Sequence, residues 1–140
     1  MQYQVNGWDI DELYEYIRKS LDLFILLKAP YKFHIKDNLR NVFVYFVISQ
    51  IIGMQISSKE ANNFVTDMLG YKDPDIIFNY KTNLRRMGWF IKANNNRYIP
   101  IQSFNYTAEN FKLEKIYNFK LEYVKKKDYN FIDSKRKTSS

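Results

Sequence analysis

One apolar run limits the fold more than any other part of the chain: Val42 to Met54, VFVYFVISQIIGM. With the more polar residues that precede it, the run predicts a helix from about Lys36 to Gly53 that is apolar around nearly its whole circumference. Such a helix has to be buried on most sides. The run is shorter than the roughly 18 to 20 residues that a membrane span needs, and it contains Ser49 and Gln50. We therefore expect this helix at the centre of a hydrophobic core.

An amphipathic helix is predicted before it, at Asp9–Leu27. Asp9 and Glu12 have the spacing of an N-cap and an acid at the third helical position, and Ala29-Pro30 ends the helix because proline disfavours helical backbone in the residue before it. The apolar stripe is most simply part of the core, although its heptad-like spacing leaves a dimer seam as the alternative. Its members recur at three- and four-residue steps: Ile10, Leu13, Tyr14, Ile17, Leu21 and Phe24.

A short helix is predicted after the central one. Ser57 and Glu60 form a second capping-box spacing, and they open a helix of about three turns. Gly70 supplies the left-handed cap that stops it.

Another helix is predicted from Pro74 to Met87. Asp73 is its N-cap, and Pro74 occupies the first helical position, where the missing N–H costs nothing. Gly88 closes this helix as Gly70 closes the previous one.

The signal then changes from helix to strand. The segments WFIK and RYIPI flank Ala93-Asn94-Asn95-Asn96, which predicts a β-hairpin because asparagine tolerates positive φ. Pro100 implies that the second strand is an edge strand or ends there. The pentapeptide NFKLE occurs at both 110–114 and 118–122 and favours further strand, and DSKRKTSS is a polar basic tail. We expect a domain at 1–103, an extension at 104–132 packed on it or on a partner subunit, and a flexible tail at 133–140.

Composition restricts the class of protein. A chain of 140 residues is one domain's worth, and hydrophobic and aromatic fractions of 46% and 18% exclude a largely disordered chain. The absence of cysteine excludes disulfides and thiolate metal sites. The first residues, MQYQVNGWDIDELYEYIRKS, carry no visible secretory or transit peptide, so we expect an intracellular location.

Catalytic constellations are missing from the sequence. The lone His34 has no metal-ligand spacing, and the four glycines are isolated, so there is no glycine-rich phosphate loop. Acid pairs such as Asp9/Asp11 and Asp73/Asp75 lie at helix starts, where capping already explains them. We expect neither an enzyme nor a protein with a bound cofactor or metal.

The net charge of +7 is unevenly distributed. Met1–Leu27 carries five acids and two bases, Tyr71–Ile101 six bases and two acids, and Phe111–Lys137 nine bases and four acids. A polyanion would therefore meet the middle and end of the chain. The abundance of Lys, Ile, Asn, Tyr and Phe also reflects A/T-rich codons, which suggests a phage, another virus or a low-GC bacterium as the source.

The segment Asn79–Ile101, NYKTNLRRMGWFIKANNNRYIPI, resembles the winged helix-turn-helix family of DNA-binding proteins. In that family the recognition helix commonly finishes in a leucine, a basic residue and a glycine before the chain enters the wing. The resemblance covers about Lys36–Ile101 and rests on the order of elements. It implies an α+β fold, mainly helical, with a winged helix-turn-helix core, the N-terminal amphipathic helix and a C-terminal extension of β character.

A helical wheel divides the helix Pro74–Met87 into two faces. The core face gathers Ile77, Tyr80, Leu84 and Met87, with Ile76 at its edge. The opposite face gathers Asp75, Phe78, Asn79, Thr82, Arg85 and Arg86.

The expected function is sequence-preferring binding of double-stranded DNA, in transcription regulation or replication, by a homodimer. Asn and Arg match base edges, and Arg and Lys also meet phosphates. We expect base contacts from Asn79, Thr82 and Arg86. Phosphate contacts are expected from Lys81, Arg85, Lys92 and Arg97.

Other interpretations remain open for the same residues. Arg85 and Arg86 also suit an ordinary helix end, where the negative end of the helix dipole stabilises cations. The asparagines are explained by turn chemistry. Phe78 packs against a neighbouring segment or contacts a partner protein. The alternative function is accordingly a protein-interaction module, such as a viral inhibitor or adaptor of a host or replication enzyme. A third hypothesis is that the NFKLE segments pair between subunits.

Overall fold

The computed structural model describes residues 9–28 and 35–106, which form four helices and a two-stranded antiparallel sheet. The expectation of a mainly helical α+β fold is confirmed at this level. The helices are α1 (Ile10–Lys28), α2 (Asp37–Ile51), α3 (Lys59–Leu69) and α4 (Pro74–Arg86). Strands β1 (Phe90–Lys92) and β2 (Tyr98–Pro100) follow, with short 3₁₀ turns at Asn94–Asn96 and Gln102–Phe104.

Helix α2 is the centre of the core, as its apolar circumference predicts. It contacts α1, α3 and α4, and eight of its residues are buried: Val42, Phe43, Val44, Phe46, Val47, Ile48, Ser49 and Ile51. The buried hydroxyl of Ser49 donates to the carbonyl oxygen of Phe46 at 2.6 Å, so this polar group is satisfied within the helix. None of the described helices is long and apolar enough to cross a membrane.

Helix α1 packs its predicted apolar stripe on the core. Ile10, Leu13, Ile17 and Leu21 are at most 6% exposed, so these residues are already covered within one chain and do not provide the dimer seam. A polar layer lies beside the stripe: Arg18 pairs with Asp22 at 3.1 Å and with Asp37 at 2.9 Å. This layer joins the outer side of α1 to the start of α2.

The helix ends follow the capping signals, with one correction. Asp9 accepts a hydrogen bond from the backbone N–H of Glu12 at 2.7 Å, as expected. The N-cap of α3, however, is Ser58 and not Ser57, because the Ser58 hydroxyl accepts from the N–H of Ala61 at 3.1 Å. The prediction of Ser57 was wrong because two adjacent serines have the same capping chemistry, and their spacing to Glu60 alone does not distinguish them.

The other helix signals within the described residues are confirmed, although α4 ends at Arg86, one residue earlier than predicted, before Gly88 at φ +88°. Gly70 adopts φ +75° and closes α3 in the left-handed conformation. Asp73 accepts from the N–H of Asp75 at 3.0 Å and caps α4, with Pro74 in the first turn.

The hairpin is anchored in the core by aromatic side chains. Trp89 has no exposed surface and Phe90 only 3%. The ring of Phe43 on α2 lies 5.2 Å from Trp89, 5.4 Å from Phe90 and 5.6 Å from Phe104, measured between centroids. The packed core therefore continues past residue 103 to at least Phe104. The predicted helix stop at Ala29-Pro30, His34, the NFKLE segments and the basic tail lie outside the described residues.

Candidate functional site

The core face of α4 is narrower than the sequence suggests. Ile77 and Leu84 are fully buried, but Met87 is 39% exposed and Ile76 40% exposed. Placing Met87 on the core face was wrong because the helix ends at Arg86 and Met87 is only its C-cap. Gly88 then turns the chain at φ +88°, and Trp89 enters the core instead.

The candidate residues of α4 divide into two neighbouring sides of the helix. Phe78, Lys81, Thr82 and Arg85 stand at positions i, i+3, i+4 and i+7, which share one side. Asn79, Thr82 and Arg86 share the adjoining outer side at i, i+3 and i+7. Thr82 belongs to both sides, and Asn79 and Arg86 are exposed. Arg85 and Arg86 therefore point in directions about 100° apart.

An open pocket lies against the first of these sides. Its volume is about 130 Å³, and its lining comes from the loop before α3, from α4 and from both strands. Aromatic rings, two cations and hydroxyl groups line it together: Ser57, Phe78, Lys81, Thr82, Arg85, Phe90 and Tyr98. No carboxylate is among these residues.

Lys81 occupies the inner part of this region, in a more buried position than a phosphate contact on an outer helix face would have. Its ammonium group donates to the carbonyl oxygen of Ile56 at 3.0 Å. The Nζ atom also lies 5.5 Å from the ring centroid of Phe46 and 5.9 Å from that of Phe78. Burial, with a smaller contribution from the positive charge of Arg85, lowers the pKa of Lys81 to about 8.

Arg85 is exposed and stacks on the hairpin. Its guanidinium carbon lies 5.0 Å from the ring centroid of Tyr98 on β2, a cation–π distance. This contact fixes the last turn of α4 against the hairpin. It also leaves the N–H groups of Arg85 without a hydrogen-bond acceptor among residues 9–28 and 35–106.

The strand register places Lys92 on the pocket side of the hairpin. Lys92 is paired directly with Tyr98, and Phe90 with Pro100. Directly opposed residues share a face of the sheet, as do residues two apart in one strand. Because Phe90 and Tyr98 both line the pocket, Lys92 lies on the same face, directly opposite Tyr98 and two residues nearer the tip than Phe90.

The hairpin tip contains turn residues and one candidate cation, Arg97. Asn95 and Asn96 adopt φ +67° and +60°, so turn chemistry accounts for two of the three asparagines. Ala93 and Arg97 close the tip, with the N–H of Ala93 donating to the carbonyl oxygen of Arg97 at 2.7 Å. The side chain of Arg97 is exposed.

Charge pairing differs between the two ends of the described structure. Each ion pair between residues of the described ranges includes a side chain of α1: Arg18 with Asp22 and Asp37, Lys19 with Glu15, and Arg40 with Asp22. By contrast, the five candidate cations have no carboxylate partner in that part of the chain: Lys81, Arg85, Arg86, Lys92 and Arg97. The positive charge on α4 and the hairpin is thus uncompensated by local ion pairs.

Sequence reasoning missed the residues that complete the pocket. In the sequence, Phe90 and Tyr98 are identified only as members of the predicted strand segments WFIK and RYIPI, and Ser57 only as a helix cap. A correct hairpin register would have placed Tyr98 opposite Lys92, but its contact with Arg85 depends on how the hairpin packs against α4. No group of three or more His, Asp or Glu side chains within residues 9–28 and 35–106 is arranged to hold a metal ion.

Comparison with known proteins gives no assignment: no protein-family model, no curated protein and no solved structure matches the chain.

Proposed function

We propose that this protein binds double-stranded DNA through α4 and the hairpin, in the manner of a winged helix-turn-helix domain. One observation carries the proposal: the five candidate cations on these two elements lack carboxylate partners in the described structure, whereas the ion-paired cations cluster around α1. Unpaired arginine and lysine side chains are the groups that neutralise phosphates and release counterions.

The two sides of α4 suit two kinds of DNA contact. Asn79, Thr82 and Arg86 on the outer side would meet base edges in the major groove, where amide and guanidinium groups form paired hydrogen bonds. Arg85, Lys92 and the hairpin-tip Arg97 would meet backbone phosphates. Lys81 would add positive potential from its more buried position.

The acids of α4 limit where DNA would approach. Asp73 and Asp75 lie in the first turn, while Arg85 and Arg86 lie in the last. Phosphates would therefore lie nearer the end of α4 and the hairpin than its start. The order of helices, glycine turn and hairpin is consistent with a winged helix in which α4 is the recognition helix and β1–β2 the wing.

Salt dependence of duplex binding tests the proposal. If five or six phosphates are neutralised, the affinity should fall by about three decades between 50 and 200 mM salt. Fluorescence anisotropy with a labelled duplex, compared with random-sequence duplexes, would measure both this slope and any sequence preference. Absence of duplex binding at 50 mM salt would refute the proposal.

A double variant that removes two positive charges tests whether DNA contacts the end of α4. Arg85→Ala with Arg86→Ala should weaken duplex binding by at least about tenfold, since each lost phosphate or base contact is worth about 1 kcal/mol or more. Lys19→Ala is the matched control because it removes an exposed cation that is already paired with Glu15 on α1. Equal weakening by both changes would show a general charge effect and no interface at α4.

A second candidate function rests on Phe78. This ring is 53% exposed on the pocket side of α4, and an exposed aromatic residue is typical of protein-binding surfaces. Under this hypothesis the module binds a host or replication protein. Two results together would favour this hypothesis over the DNA proposal. The parent protein would not retain duplex DNA, and Phe78→Ala would abolish the binding of a purified partner protein.

The subunit arrangement remains part of the proposal. A homodimer would present two copies of α4 to two half-sites about one helical turn apart. Sedimentation equilibrium with and without duplex DNA would measure the stoichiometry, and a chain ending after Tyr106, which keeps the buried Phe104, would test whether the NFKLE segments take part in assembly.

A further inference from the structure

The pocket beside α4 combines aromatic walls with two cationic side chains, Lys81 and Arg85. We propose that it binds a small anion that carries one aromatic ring, an aryl carboxylate or an aryl phosphate. The proposal can fail independently of DNA binding: it shares Lys81 and Arg85 with the proposed DNA surface, but its test measures ligand binding in the absence of DNA.

The size and the walls select a single ring. Phe78, Phe90 and Tyr98 supply three aromatic walls around about 130 Å³. A cavity of roughly 150 Å³ accommodates benzene, so an open pocket of about 130 Å³ suits one six-membered ring whose charged group lies toward the opening. Phe78 is 53% exposed, and a bound ring would cover part of that apolar surface.

The polar lining selects a negative charge. Lys81 and Arg85 stand one helical turn apart in a lining that has no carboxylate. Among residues 9–28 and 35–106, one proton of the Lys81 ammonium group has an acceptor, the carbonyl oxygen of Ile56, so two remain for a ligand. The guanidinium carbon of Arg85 lies 5.0 Å from the centroid of the Tyr98 ring, and its N–H groups have no acceptor within the described residues.

The hydroxyl groups contribute unequally. Thr82 already donates its hydroxyl proton to the carbonyl oxygen of Phe78 at 3.0 Å, so it can only accept. Ser57 and Tyr98 also line the pocket, and each carries a hydroxyl group that can act as a donor. An oxyanion therefore finds donors from the loop before α3, from α4 and from β2, while its ring lies against the aromatic walls.

The electrostatics around Lys81 also favour an anionic ligand. Burial and the nearby Arg85 charge lower the pKa of Lys81, which means that the folded protein holds its ammonium form at a cost. A bound anion offsets this cost by supplying the missing counter-charge. A neutral or cationic ligand would not.

Isothermal titration of the full chain at pH 7 tests the ligand class. Benzoate and phenyl phosphate are the probes, benzyl alcohol supplies the ring without the charge, and inorganic phosphate supplies the charge without the ring. We expect at least one aryl anion to bind about tenfold or more tighter than both controls, as one charged hydrogen bond is worth at least this factor. Equal binding of benzyl alcohol, equal binding of inorganic phosphate, or no binding of either aryl anion would each overturn the proposal.

Variants locate the binding in the pocket. Lys81→Met keeps the length of the side chain and removes its charge, and Arg85→Gln removes the second cation from an exposed position. Each should weaken the aryl anion about tenfold. Arg86→Gln is the matched control, since this neighbouring arginine does not line the pocket, and it should leave binding unchanged.

Two results of the variant series would overturn the assignment. Equal weakening by Arg85→Gln and Arg86→Gln would indicate a diffuse charge effect. Unchanged affinity in a folded Lys81→Met protein would remove Lys81 from the site. If Lys81→Met does not fold, Arg85→Gln against Arg86→Gln decides the matter alone, because both positions are exposed.

Discussion

Replacing Lys81 with methionine should change how the stability of this protein depends on pH. The ammonium group is partly buried between the rings of Phe46 and Phe78, and its pKa is lowered from 10.5 to about 8, first by burial and then by Arg85. At about 1.36 kcal/mol per pKa unit, this difference is equivalent to at most roughly 3.4 kcal/mol. Lys81 retains some solvent contact, so screening reduces the expected effect to about 1 to 2 kcal/mol.

The sign follows from proton binding in the folded and unfolded states. Between pH 8 and 10.5 the unfolded chain retains the Lys81 proton while the folded chain has released it. The stability contributed by this group therefore rises with pH in that window and is lowest below pH 8. Lys81→Met removes the titration, so at pH 7 the variant loses one hydrogen bond to Ile56, worth about 1 kcal/mol, but is relieved of the cost of a partly buried charge.

Urea denaturation at a series of pH values measures the effect. The free energy of unfolding of the parent minus that of Lys81→Met should rise by about 1 to 2 kcal/mol between pH 7 and pH 10. Taking the difference cancels groups that titrate alike in both proteins. Lys72→Met, at an exposed position, controls for the removal of one positive charge. A difference that stays constant from pH 7 to pH 10 would refute the burial argument.

Three further changes test the fold by the free energy of unfolding in urea. Gly88→Ala should destabilise by about 1 kcal/mol or more, because the residue has φ +88° although a Cβ atom there would meet no neighbour. Ser58→Ala should cost about 1 kcal/mol and Ser57→Ala much less, and the reverse order would contradict the observed cap. Phe43→Ala should cost about 3 to 5 kcal/mol, since its fully buried ring contacts Trp89 and Phe104; a loss below about 1 kcal/mol would show that the ring cluster does not hold the hairpin.

Local signals in the sequence were sufficient for most of the helical framework. The central helix is predictable because an uninterrupted apolar circumference has no stable position except a core. Asp9, Gly70 and Asp73 mark helix ends through hydrogen bonds or a left-handed backbone that depend on only a few neighbouring residues. The one error among these ends, Ser57 in place of Ser58, occurs where two adjacent residues have identical capping chemistry.

The candidate site was predictable only in part, because it depends on packing between distant elements. The wheel of α4 identifies Arg85 and Arg86 as exposed, yet it cannot show that one stacks on Tyr98 while the other does not. Lys81 was expected among the phosphate contacts, but the carbonyl oxygen of Ile56, 25 positions earlier in the chain, holds its ammonium group. Contacts over such separations are fixed by the assembled core, which local spacing does not encode.

The position of Arg85 links the two proposals and allows a sharper experiment than either alone. This side chain lines the pocket, and it is also one of the cations expected to meet a DNA phosphate. An aryl anion seated beside it would compete with that phosphate, so benzoate or phenyl phosphate should weaken duplex binding at constant ionic strength, by an amount that saturates with pocket occupancy.

A duplex titration at rising concentrations of phenyl phosphate, with chloride adjusted to hold the ionic strength, measures this coupling. Benzyl alcohol serves as the uncharged control, and Arg86→Gln should reduce duplex affinity while leaving the ligand's effect intact. If the ligand binds but duplex affinity does not change, the pocket and the DNA surface are independent, and Arg85 cannot serve both. The phosphate contacts would then have to come from Arg86 and the hairpin cations Lys92 and Arg97, none of which lines the pocket.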